Sequence, residues 1–97
     1  MNRHIPEYRF VSEVGSPWIV INKFTQGKLT GQFSFHASQV TGVMLVPEYY
    51  GDWVGYAVDV WMMGVAKSVN VVAATSEEEA NGIAEMIRAE VTLRRTR

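Results

Sequence analysis

The sequence contains no cysteine and has almost no net charge: nine Lys and Arg stand against ten Asp and Glu in 97 residues. Without cysteine there is no disulfide framework, thiolate nucleophile or cysteine-ligated metal site. A charge of −1 disfavours binding to nucleic acid, which depends on many contacts between basic side chains and phosphates. No apolar run approaches the ~20 residues of a membrane span, and the first ten residues lack a signal-peptide pattern. We therefore expect a cytoplasmic protein without a membrane-bound segment.

Apolar residues make up 47% of the sequence and aromatic residues 11%, which favours a folded chain over a disordered one. The length suits one domain over residues 1–97, in which roughly 65% of the unfolded surface becomes buried. We expect residues 1–7 to form a loose lead and residues 94–97 a basic tail.

Six segments rich in β-branched and aromatic residues predict strands, because turns containing Gly or Pro separate them. In the third segment, Leu29, Gly31, Phe33 and Phe35 share one face, which predicts one buried and one solvated face. Residues 47–52 begin with proline and are predicted to break the fourth strand. The predicted strands are 8–14, 18–24, 29–36, 40–46, 53–62 and 67–74.

A C-terminal amphipathic helix is predicted over about residues 76–93. Ser76 and Glu79 have the spacing of a capping box, and the acidic start and basic end complement the helix dipole. Apolar residues at helical spacing predict the side that packs on the sheet. They are Ala80, Ile83, Ala84, Ile87 and Val91.

These elements predict an α+β, mostly β fold: an antiparallel meander of six strands, as a curved sheet or partly open barrel, packed by one helix. The strand order, the strand VGYAVDVWM and the run VNVVAATSEEEANGIAEMI resemble those of the small bacterial pleckstrin-homology-like domains. That resemblance implies a scaffold for binding other molecules. The family usually has seven strands, and no basic cluster occupies a loop here, so phosphoinositide binding is not carried over.

The sequence offers no constellation for catalysis, metal binding or a cofactor, and we expect a non-enzymatic protein. His4 falls in the loose lead and His36 on the solvated side of a strand, without further ligands at metal-binding spacing. Ser34 shares a strand face with His36, but nucleophilic catalysis also needs an orienting carboxylate and an oxyanion hole.

Asp59 lies in the middle of a strand, where aspartate is disfavoured. Pairing Val58 with Val71 and Val60 with Val69 sets Asp59 opposite Asn70 and Trp61 opposite Ser68. Two interpretations stay open. Asp59, Trp61 and Asn70 form a polar contact site on an exposed sheet face, or Asp59 is bonded to Asn70 across the ladder.

Two further segments are candidate interaction sites. Tyr49, Tyr50, Asp52 and Trp53 surround a turn and carry residue types common in binding hot spots, but the aromatic rings could also fold back over the sheet. On the helix, four residues form a second, heptad-like seam for a homodimer or a partner helix, unless the protein's own sheet covers it or the residues are apolar side chains tolerated at the surface. The seam residues are Gly82, Met86, Ala89 and Leu93.

We expect a module that binds another protein, in the manner of a small phage or mobile-element regulator or inhibitor in a bacterial cell or its infected host. The first alternative is a self-assembling structural protein, a homodimer or larger, joined through the helix seam and strand edges. The second is a single-stranded nucleic-acid binder that uses exposed aromatic side chains.

Overall fold

The computed structural model describes residues 6–74 and 76–95, without the side chains of Tyr50, Trp53 and Ala73. The described residues form six strands and one C-terminal helix, which confirms the predicted fold class. The six strands do not form the single meander that the sequence predicts. They form two separate antiparallel sheets, β1–β2–β3 and β4–β5–β6. The elements are β1 (Glu7–Phe10), β2 (Trp18–Thr25), β3 (Lys28–His36), a 3-10 turn (Ala37–Gln39), β4 (Val40–Tyr50), β5 (Trp53–Met62), β6 (Val69–Ala74) and α1 (Glu77–Arg95).

The first sheet is built on the β2–β3 hairpin. Its two-residue turn has positive φ at Gln26 (54°) and Gly27 (78°), as a type I′ turn requires, and such turns match the twist of a tight hairpin. The inward side chains of the hairpin belong to the core, with Ile19 and Ile21 fully buried. Leu29, placed on the buried face by the alternation, is 57% exposed, because a bulge interrupts the hairpin register near its turn.

β1 ends at Phe10, four residues earlier than the sequence predicts. The main-chain N–H of Val11 still donates to the carbonyl of Val20, at 3.0 Å. The hydroxyl of Ser12 then accepts the N–H of Val20 at 2.7 Å, so a side chain replaces the next rung of the ladder. The chain leaves the sheet there and turns at Gly15, whose φ is +83°.

β4 continues to Tyr50, so the prediction that residues 47–52 break this strand is wrong. Pro47 pairs with Tyr56, and the turn is confined to Gly51 and Asp52. β4 is an edge strand, which tolerates proline where the missing N–H would face away from the sheet. Val43 lies four residues before Pro47, so the backbone groups of the two residues point to the same edge of β4. The carbonyl of Val43 accepts a bond from Arg88 of the helix, which shows that this edge faces away from β5.

The β5–β6 register agrees with the predicted pairs of Asp59 with Asn70 and of Val60 with Val69. The predicted pairing of Val58 with Val71 is wrong, because Val58 pairs with Val72 across a bulge. The bulge inserts one residue, so both Val71 and Val72 are buried in the core. A strict alternation pattern cannot show such an insertion.

The helix packs its predicted apolar side onto β4, β5, β6, the 3-10 turn and β2. Ser76 caps it, since its hydroxyl accepts the N–H of Glu79 at 3.1 Å. Ala80, Ala84, Ile87 and Val91 are buried, and Ile83 is partly buried against the same core.

Arg94 and Arg95, placed in a basic tail by the sequence, belong to the last helical turn. Arg94 is only 8% exposed; its Nε donates to Glu90 at 2.6 Å, and its Nη1 donates to the carbonyls of Glu13 and Ser16. Arg95 donates to the carbonyls of Ala37 and Val40. The helix end is therefore tied to the β1–β2 loop and to the 3-10 turn. The remainder of the tail lies outside the described residues.

Candidate functional site

The side of the second sheet that faces away from the helix brings together an exposed aromatic ring, a thioether and a carboxylate. Val58 and Val60 point into the core, so the alternate residues of β5, Asp59 and Trp61, lie on the opposite face. Met44 on β4 pairs with Asp59 and shares that face. Met44 is 53% exposed and Trp61 37%. We call this surface, defined by Met44, Asp59 and Trp61, the outer face.

Asp59 and Asn70 lie opposite each other as predicted but do not share the hydrogen bond that the sequence suggested. The hydroxyl of Ser68 donates to Oδ2 of Asp59 at 2.8 Å. Nδ2 of Asn70 donates instead to Oε1 of Glu48, at 2.9 Å. Asp59 and Asn70 are thus bonded to Ser68 and Glu48 and not to each other.

The Asn70–Glu48 bond spans the whole second sheet, because Asn70 lies on β6 and Glu48 on β4, with β5 between them. Ala57 of β5 has the same parity as Asp59 and is fully buried. The bond between the two flanking strands crosses β5 on that face, where Ala57 carries only a methyl group. The bond fixes the polar rim beside Asp59 and Trp61.

The segment that carries most of the outer face is acidic. Residues 40–66 contain Glu48, Asp52 and Asp59 but no Lys or Arg. In the described part of the chain, Arg9, Arg88 and Arg94 pair with carboxylates on β1 and along the helix, Arg95 donates to main-chain carbonyls, and none of these side chains pairs with Asp59. Lys67 follows this segment directly and precedes Ser68, but no ion pair joins Lys67 to Asp59 among the described residues.

The turn between β4 and β5 projects exposed residues. Tyr49 is 75% exposed and pairs with Val54, itself 37% exposed, and Asp52 is also exposed. The alternative that the aromatic ring folds back over the sheet is therefore wrong for Tyr49. The side chains of Tyr50 and Trp53 lie outside the described residues, so their role in this turn stays a prediction.

The predicted helix seam lies on the exposed side of α1. Met86 and Leu93 are each 51% exposed, and Gly82 and Ala89 are exposed as well. The alternative that the protein's own sheet covers this flank is therefore wrong. Its largest side chains are flanked by acidic residues, Glu85 and Glu90, which are paired to arginines of the same helix.

His36 shares a strand face with Ser34, but its side-chain hydrogen bonds are to Ser38. Its Nδ1 accepts the N–H of Ser38 at 3.3 Å and lies 2.7 Å from the hydroxyl of the same residue. The imidazole thereby caps the 3-10 turn, and its ring packs edge-on against Trp18 with centroids 5.1 Å apart. No carboxylate is bonded to the imidazole among the described residues. The bond between His36 and Ser38 is therefore a turn cap. Its spacing of two residues is the one at which a side chain commonly bonds a nearby backbone N–H, and this spacing is visible in the sequence.

Sequence reasoning missed a groove of about 350 Å³ between β4 and the helix. Arg88 and Arg95 line it together with Thr41 and Thr92. Arg88 donates to the carbonyl of Val43 at 2.9 Å, and Arg95 donates to the carbonyls of Ala37 in the 3-10 turn and of Val40 at the start of β4. These guanidinium groups satisfy backbone acceptors of the edge strand, and so hold the helix against it.

Comparisons with known proteins give no relatives: no protein-family model, curated protein or solved structure matches the chain. The resemblance to pleckstrin-homology-like domains stays a prediction. The described residues hold no group of three or more His, Asp or Glu placed to bind a metal ion. None of their helices combines the length and apolar character needed to cross a membrane.

Proposed function

We propose that this protein is a non-enzymatic binding module whose partner is another protein, and that it regulates or inhibits that partner by occupying its surface. One observation carries the proposal: exposed large hydrophobic side chains concentrate in the acidic segment of residues 40–66. Of those recorded in the described residues, six belong to this segment. They are Met44, Tyr49, Val54, Trp61, Met63 and Val65.

The outer face has the composition of a protein interface. Tryptophan and methionine are enriched at the centres of interfaces, where they contribute large contact area and little polar desolvation. The neighbouring polar groups, Glu48 with Asn70 and Asp59 with Ser68, are already hydrogen-bonded and form a rim. The absence of Lys and Arg from residues 40–66 disfavours a phosphate backbone as the partner of this surface.

Capture from a lysate of the source cells tests the proposal with two matched variants. Met44 and Met86 are nearly equally exposed, at 53% and 51%, but lie on the outer face and on the helix seam. We expect Met44→Glu to lose a captured protein that the wild-type chain retains, because the glutamate places a charge at the centre of the interface. Met86→Glu should retain that protein. Quantitative mass spectrometry of the captured material measures both.

Two results would contradict the proposal. The first is capture of one protein that Met44→Glu leaves undiminished, which would place binding elsewhere on the chain. The second is the absence of any protein that binds saturably to the wild-type chain. Circular dichroism of both variants checks that they are folded.

Self-association through the helix is the second candidate, and the exposure of all four seam residues favours it. Light scattering across a concentration series measures the mass in solution. A dimer that Met86→Glu dissociates and Met44→Glu preserves would establish the seam as its interface. A wild-type monomer at all concentrations would exclude it.

A further inference from the structure

We infer that the outer face binds the side chain of an arginine or lysine of the partner, held between the carboxylate of Asp59 and the indole of Trp61. This inference rests on the protein-binding function proposed above and names the chemistry that the site recognises. It depends on the position of Asp59, on the open face of Trp61 and on the charge of the surrounding segment.

Asp59 lies on the central strand of its sheet and is half-buried, so its charge is partly withdrawn from water. Its recorded bond is the one that Oδ2 accepts from Ser68, at 2.8 Å. No Lys or Arg of the described chain pairs with it. A half-buried carboxylate with one hydroxyl partner keeps acceptor capacity for a charged donor, and charge-assisted bonds are stronger than neutral ones.

Trp61 lies two residues from Asp59 on the same strand and therefore on the same face. Its cross-strand partner is Gly42, which has no side chain to cover the indole. Met44 lies opposite Asp59 and adds a second exposed apolar wall. A cation above an indole ring is attracted by the ring's quadrupole, while its alkyl stem packs on the neighbouring apolar groups.

The Asp59 carboxylate, which pairs with no Lys or Arg of the described chain, lies beside the exposed indole of Trp61 and favours a cation as the ligand; Lys67 directly follows the segment but is not paired with Asp59. Residues 40–66 carry three acidic side chains and no basic one, while the exposed apolar side chains of the same segment favour a protein ligand. The guanidinium group of arginine suits the site best, since it stacks on aromatic rings and donates two parallel bonds to a carboxylate. A neutral or acidic side chain would gain neither contact.

A titration of the whole protein followed by NMR tests this inference. The probe is N-acetyl-arginine amide, and the control probe is the corresponding citrulline derivative, which has nearly the same shape but no charge. We expect the arginine probe to shift the Asp59 amide and the Trp61 indole N–H saturably, and the citrulline probe to bind at least fivefold more weakly. Titration to roughly 100 mM detects a Kd of ~10 mM, which is the weak affinity of a single side chain.

Two variants separate a local site from general acidity. Asp59→Asn keeps the shape of the side chain and an acceptor for Ser68, whereas Asp52→Asn removes the same charge from the exposed turn of the same hairpin. We expect Asp59→Asn to weaken binding of the arginine probe at least fivefold and Asp52→Asn to change it less than twofold. Equal weakening by both variants, equal binding of both probes, or no shift in the wild-type chain would each overturn the inference.

The outcome of this titration can be distinguished from the outcome of the capture experiment that tests the proposed function. If the arginine probe binds but no partner protein is captured, the cation site stands and the protein-binding function fails. If Met44→Glu abolishes capture while the arginine probe leaves Asp59 and Trp61 unshifted, the protein-binding function stands and the cation site fails. The comparison of the two probes on the wild-type chain does not depend on the folding of any variant.

Discussion

At the scale of single residues, two glycines show how backbone conformation decides the effect of one methyl group. At both Gly27 and Gly82 an added Cβ would meet no heavy atom within 4 Å. Gly27 has φ of +78° in the β2–β3 turn, whereas Gly82 lies within α1. The left-handed region is costly for residues that carry a Cβ, while alanine is the best residue in a helix.

We therefore expect Gly27→Ala to lower the free energy of unfolding by about 1 kcal/mol. Gly82→Ala should raise it by up to about 1 kcal/mol. Urea unfolding of both variants against the wild-type chain gives the two values under identical conditions. The same sign for both would contradict the backbone explanation, since neither methyl group has a neighbour to clash with.

At the scale of elements, the end of the helix depends on one buried cation. Arg94 connects Glu90 to two carbonyls of the β1–β2 loop, Glu13 and Ser16. Removing it leaves those acceptors and the carboxylate of Glu90 with fewer partners, at a cost of about 1–3 kcal/mol. We expect Arg94→Met to lower the free energy of unfolding by that amount in urea unfolding.

Arg88→Met is the matched control for that change. Arg88 is 42% exposed, its ion pair with Glu85 lies on the surface, and its single backbone bond is to Val43. Exposed ion pairs contribute little, so the effect should be clearly smaller than that of Arg94→Met. Equal losses for the two variants would show that burial of Arg94 adds nothing to the stability of the helix end.

The elements themselves could largely be predicted from the sequence. The helix followed from its cap and from the spacing of its apolar residues, and the structure confirms both. The extent of β4 could not be predicted, because Pro47 is tolerated only on an edge strand, and which strands form edges is a property of the assembled sheets. The bulge beside Asp59 could not be predicted either, because Val58 can pair with a valine in both registers, with Val71 or with Val72.

The candidate site was predictable in part. Asp59 and Trp61 were found because an aspartate within a strand is unusual, but Met44 was missed, since its place opposite Asp59 depends on the β4–β5 register. The bond from Ser68 to Asp59 was also missed, because the sequence set Ser68 opposite Trp61. The lack of Lys and Arg in residues 40–66 was readable from the sequence, but only the β4–β5 register shows that Met44, Asp59 and Trp61 lie on one face.

At the scale of the whole molecule, the two sheets share a core through the helix. The recorded strand pairing stays within each sheet, and α1 contacts both the second sheet and β2 of the first. Ile87 is fully buried in the middle of that helix and belongs to the core that includes Ile19 and Val58. Stability should therefore be a joint property of both sheets.

Ile87→Ala tests this coupling, because it removes buried methyl groups without changing any strand. We expect a loss of about 2–5 kcal/mol in the free energy of unfolding. We also expect matching losses of amide hydrogen-exchange protection in β2 and β5, which would then open in one cooperative unit. The control is Leu29→Ala, whose side chain is 57% exposed and should cost far less. Loss of protection confined to β5 would show that the two sheets unfold independently, and would contradict a shared core.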